Sequence, residues 1–65
     1  MDENEMMQQI AEAIEDEQAD ADKYMKMAEE ADEKYAPIFR DIAHEELIHK
    51  KHLQAIHDDM MKHEA

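Results

Sequence analysis

Apolar side chains recur at intervals of three and four along two stretches of this chain. In the first, Met7, Ile10, Ile14, Glu17, Ala21, Tyr24, Ala28 and Ala31 hold the a and d places of a heptad, with large residues early and small ones late. In the second, the same spacing runs through Phe39, Ile42, Glu46, His49, Leu53, Ile56 and Met60. Asp2 followed by Glu5 is the signature of a capping box, and Pro37 disfavours α geometry at Ala36 while suiting the first turn of a following helix. The pattern predicts helix 1 from about residue 3 to about 33, a turn at about 34–36 and helix 2 from about 37 to about 62. Tyr35 is expected to pack on the start of helix 2, and Lys62 and His63 suit the negative end of its dipole.

Two helices of similar length joined by a short turn make an antiparallel hairpin, so the fold class is all-α and residues 1–65 form a single domain. One stripe per helix cannot be covered on both sides by its own partner helix. Two hairpins paired about a twofold axis would bury it, giving a four-helix bundle as a homodimer. Leu47, Ile48 and Met61 lie off the main seam, and this second apolar strip suggests further association into a ring or cage-like oligomer.

Composition sharpens the picture. Sixty-five residues with no Cys seldom bury enough apolar surface to stand alone, which again favours self-association. The absence of Gly and the abundance of Ala, Glu, Met, Lys and Gln favour helix throughout. A formal net charge of −12 argues against nucleic acid or an anionic membrane as partner, and favours cations. Without Cys there is no disulfide, thiolate zinc site or rubredoxin-type iron centre on these residues. No apolar run approaches the ~20 residues of a membrane span, and the acidic start Met1-Asp2-Glu3-Asn4-Glu5 is unlike a secretory signal. The chain reads as cytoplasmic, or enclosed within a cytoplasmic particle.

Three seam positions are polar: Glu17, Glu46 and His49. A carboxylate and an imidazole three residues apart share one helix face and can bind one metal ion. Burying such groups without a partner costs several kcal/mol, and a metal ion supplies the compensation. In a twofold dimer the set doubles to four carboxylates and two imidazoles, enough to neutralise two divalent cations. Such oxygen-rich ligands suit iron or manganese.

A turn centred between residues 34 and 35 sets His52 level with Glu17 and Asp20 level with His49, so Asp20 is the alternative ligand from helix 1. Glu45, His49 and His52 follow i, i+4, i+7 and form a secondary cation candidate. Tyr24 would be packing, or a buried phenol bonded to a ligand carboxylate. The bland alternatives are a solvated Glu17, a structural hydrogen bond between Glu46 and His49, and a solvated face for His44, His57 and His63.

Glu45-Glu46-Leu47-Ile48-His49 resembles the E-E-x-x-H of the ferritin-like superfamily, and Glu17 with Tyr24 resembles the E-x6-Y of helix 1 in rubrerythrins and encapsulated ferritins. The resemblance covers about residues 7–60. With one helix pair in place of two, the chain is similar to half-ferritins, in which two copies build a di-iron centre between them. The resemblance implies Glu17 as a terminal carboxylate, Glu46 as a bridging one, His49 as the imidazole ligand and Tyr24 as a neighbouring phenol. It further implies a ferroxidase that oxidises Fe(II) with dioxygen in iron storage or detoxification. Two irons would be held per dimer, with Mn or Zn as substitutes and an encapsulating shell protein as a candidate partner. Two alternatives remain: a rubrerythrin-like domain that reduces peroxide or oxygen with electrons from elsewhere, and a non-catalytic helical oligomerisation module whose polar layer fixes register.

Overall fold

The computed structural model describes residues 1–64; Ala65, the last residue of the expected domain, lies outside them. Helix α1 spans Glu3–Glu30 and helix α2 spans Ala36–Glu64, with no strand among the described residues. Glu17 meets His49 while Tyr24 meets Phe39, so the helices run antiparallel, in a hairpin 49 Å long and 15 Å across. No helix among the described residues is long and apolar enough to cross a membrane.

The start of α1 is set by Asp2. Its carbonyl accepts the first intrahelical bond, from the Met6 amide at 3.0 Å, and its carboxylate accepts from the Glu5 amide at 2.8 Å, which satisfies one of the otherwise orphaned donors of the first turn. Asp2→Ala is expected to cost about 1 kcal/mol and to lower the thermal midpoint by several degrees, read by circular dichroism.

The helix ends at Glu30, three residues before the point that the apolar spacing predicts. The cause is Asp32. Ala31 is extended (φ −77°, ψ 157°), the Asp32 carboxylate accepts from the Lys34 amide at 3.1 Å, and the Asp32 carbonyl accepts from the Tyr35 and Ala36 amides at 2.8 and 3.0 Å. An aspartate that can satisfy the backbone two residues on competes with helix continuation, and here it wins. The connection is therefore residues 31–35, and α2 begins at Ala36 with Pro37 in its first turn. The Tyr35 ring is half exposed, with Lys34 Nζ 5.2 Å from its centroid, and does not close over α2 as expected.

The buried side chains are Ile10, Ala21 and Ala28 from α1 and Ala36 and Ala43 from α2, so the helices meet largely methyl to methyl. On α1 every expected seam residue is buried or half-buried. On α2 the stripe against α1 is Ala36, Phe39, Ala43, Glu46, Lys50, Leu53, His57 and Met60. This corrects the expected seam: Ala43, Lys50 and His57 hold the places given to Ile42, His49 and Ile56. The reason is rotational. The apolar face of α2 is wider than one helix can cover, and α1 covers its small-residue side. Ile42 is left half-buried, while His49 and Ile56 are exposed on the flank.

Candidate metal centre

Glu17 lies midway along α1 in its buried stripe; Glu46 faces it from α2, and His49, one turn further along α2, stands on the exposed flank. What aligns them is the early end of α1. With the connection centred on residue 33, reflection about that point puts residue 49 level with Glu17. A connection centred between residues 34 and 35, as the spacing predicts, would have displaced His49 by about 4–5 Å along the axis. The Asp32 turn thus removes the offset that had made Asp20 the competing ligand.

One ligand atom from each of Glu17, Glu46 and His49 lies within 4.8 Å of the others. His49 Nδ1 is 3.8 Å from Glu17 Oε2, too long for a hydrogen bond. Oxygen and nitrogen ligands sit ~2.0–2.2 Å from a bound first-row ion, so two of them on one ion are at most about 4.4 Å apart. Small side-chain rotations bring this trio into that range. Glu17 Oε2 is buried and has no hydrogen-bond partner, an orphaned carboxylate oxygen that a cation would satisfy. The Glu17 side chain is 23% exposed and that of His49 57%, so the site is closed on the α1 side and open on the flank. The donor set and the orphaned oxygen both fit a divalent cation.

Glu46 is held above the ordinary carboxylate range. The largest cause is a hydrogen bond shared with the Glu17 side chain, followed by partial burial and the negative charges of Glu17 and Asp20; His49 opposes them. Because its folded pKa lies above the unfolded one, Glu46 stabilises the metal-free hairpin at pH values below the unfolded pKa. That contribution is lost as pH rises through the folded pKa. Glu46→Gln removes the titration. The metal-free melting temperature of the variant is therefore expected to fall less than that of the native chain between about pH 4 and about pH 7, the range in which carboxylates titrate. A cation must displace the same proton, so its apparent affinity rises with pH.

The other candidates lie elsewhere. Asp20 is exposed and acts on the site through its charge. Glu45 and His52 are exposed and do not join the trio. Tyr24 is stacked on Phe39, ring centroids 6.5 Å apart and planes at 17°, and Lys23 Nζ lies 5.6 Å from its centroid. Seven residues from Glu17 is about 10 Å along the helix, so Tyr24 serves the packing between the site and the turn. Gln18 and Lys50, which the heptad spacing alone does not single out, meet beside the trio on the opposite flank.

Compared with known families, residues 8–65 match the family model described as Rubrerythrin, a span that includes most of α1, all of α2 and all three ligand candidates. No curated protein and no solved structure matches the chain.

Proposed function

We propose that this chain, which belongs to the rubrerythrin family, is a ferroxidase whose di-iron centre is shared by two copies. The observation that carries the reading is the convergence of Glu17, Glu46 and His49 from two helices, ligand atoms within 4.8 Å, around an orphaned carboxylate oxygen. Pairing is supported by the thin core: among the described residues, four of the five buried side chains are Ala. It is supported too by the flank that carries His49, where Ile42 and Ile56 stand seven residues to either side and Ile56 is 49% exposed. A second copy on that flank would bring two trios together, and four carboxylates would balance two divalent cations.

When bound, iron supplies the electrons: two Fe(II) reduce one dioxygen, which takes up two protons and leaves as hydrogen peroxide. Glu17 holds its oxygen aimed into the site from the buried side. Glu46, held above the ordinary carboxylate range by its neighbours, would lose its proton more readily with a cation in place. His49, on the open flank, is the ligand nearest solvent. The setting inferred is the cytoplasm, with a shell protein as the partner that the likeness to encapsulated ferritins implies.

Family membership equally favours a second reading, in which the same centre reduces peroxide with electrons from a separate donor. Stopped-flow oxidation of Fe(II) by the protein separates the two. The ferroxidase reading expects saturable acceleration with dioxygen. Acceleration with peroxide alone, and none with dioxygen, would move the assignment to the peroxide reductase.

A further inference from the structure

Around the trio, one turn from Glu17 and one from Glu46, the helices pack through Ala21 and Ala43, which are 1% and 0% exposed. Methyl against methyl leaves shallow ridges, and shallow ridges define axial position weakly. Position matters here: a slip of one residue moves a ligand by about 1.5 Å, against a tolerance of ~0.5 Å for a preorganised site.

One specific tie lies at this level. Lys50 Nζ donates to Gln18 Oε1 at 2.6 Å, a side-chain hydrogen bond that joins the two helices beside the trio. Gln18 follows Glu17, and Lys50 follows His49, so the tie joins the residues next to two of the ligands. Gln18 is oriented in turn, because its Nε2 donates to Asp22 Oδ1 at 2.9 Å, one turn along α1, leaving its carbonyl oxygen for Lys50. Both residues are half-buried, and Lys50 occupies a stripe position between Ala43 and His57. A partly desolvated ammonium is costly there without its acceptor, which makes the bond selective for one register.

We propose that Gln18 and Lys50 are positioning residues of the metal centre: their hydrogen bond, backed by Asp22, sets the axial register that brings Glu17 level with His49. This rests on the reading of the trio as a metal site, and two readouts keep the inferences apart.

The first is Co(II) binding to the full chain, followed by its visible absorption. Lys50→Met keeps the length of the stem and removes the donor. It is expected to weaken binding by about tenfold or more and to alter the band shape, with Lys50→Arg restoring both. Removing a positive charge beside a cation site would by itself tighten binding, so a loss cannot be electrostatic. Phe39→Leu, which breaks the stack with Tyr24 near the turn, serves as the destabilised control and is expected to leave affinity and spectrum unchanged.

The second readout is NMR of the metal-free chain. Contacts between the His49 ring and the Glu17 side chain are expected to weaken in Lys50→Met and to persist in Lys50→Arg. Unchanged contacts in Lys50→Met, or a Co(II) affinity lowered no further than in Phe39→Leu, would overturn the proposal. A native chain that binds no Co(II) and yet loses these contacts in Lys50→Met would uphold the register role and overturn the metal role.

Discussion

Glu46→Ala is expected to abolish saturable iron binding and to return Fe(II) oxidation to its rate in buffer. The argument is one of ligand count and charge. Each chain keeps Glu17 and His49, which reach one ion only from opposite helices, and a pair of chains keeps two carboxylates where two divalent cations call for four. The hairpin itself should survive. Trimming Glu46 removes the hydrogen bond shared with Glu17 and relieves the repulsion between the two carboxyl groups, effects that oppose one another, so the metal-free melting temperature should change little. Titration with Fe(II) beside a thermal melt checks both halves. The result also separates a metal centre from a polar layer that only fixes register. In such a layer Glu46→Leu would raise stability with no activity to lose, because a half-paired buried charge is readily bettered by an apolar side chain.

Ile56→Asp is expected to dissociate the pair and silence oxidation together, though it touches no ligand. In the single hairpin Ile56 is 49% exposed, so the change is a surface substitution worth no more than about 0.5 kcal/mol to folding. In the proposed pair it would put an unpartnered carboxylate into an apolar interface, between chains that each already carry −12. A cost of about 3 kcal/mol or more corresponds to a dimer dissociation constant raised by over 100-fold. Sedimentation equilibrium reads the mass and circular dichroism confirms that the helices remain. Helical monomers that still oxidised iron at the native rate would show that one chain carries a complete site.

The contrast between the two helices shows what was legible in the chain. On α1 the apolar and small residues keep one unbroken heptad, and the stripe read from spacing is the stripe that packs. On α2 two stripes one residue apart compete. Ile42, His49 and Ile56 look like seam because two of them are large and apolar, yet Ala43, Lys50 and His57 face α1. Close approach of two alanine-lined helices selects the smaller side chain, and a pattern that scores hydrophobicity favours the larger.

The trio was legible because Glu17 and Glu46 stand in both versions of the seam, and His49 lies one turn from Glu46 in either. Its alignment was not, because it depends on where α1 stops. Pro37 is the louder signal, but Asp32 acts first, through a side chain that captures the Lys34 amide. Lys50 was hidden for a related reason. A lysine reads as surface unless its place between Ala43 and His57, and a glutamine beside Glu17 on the facing helix, are weighed together.

The most direct test of the shared di-iron centre is anaerobic Fe(II) titration of the native chain with molecular mass measured at each step, followed by admission of dioxygen. A break near one iron per chain, a shift to twice the chain mass by the end of loading, and prompt oxidation of the bound iron are the results expected. Iron bound by a species that stays at the mass of one chain, or oxidised no faster than iron in buffer, would contradict it.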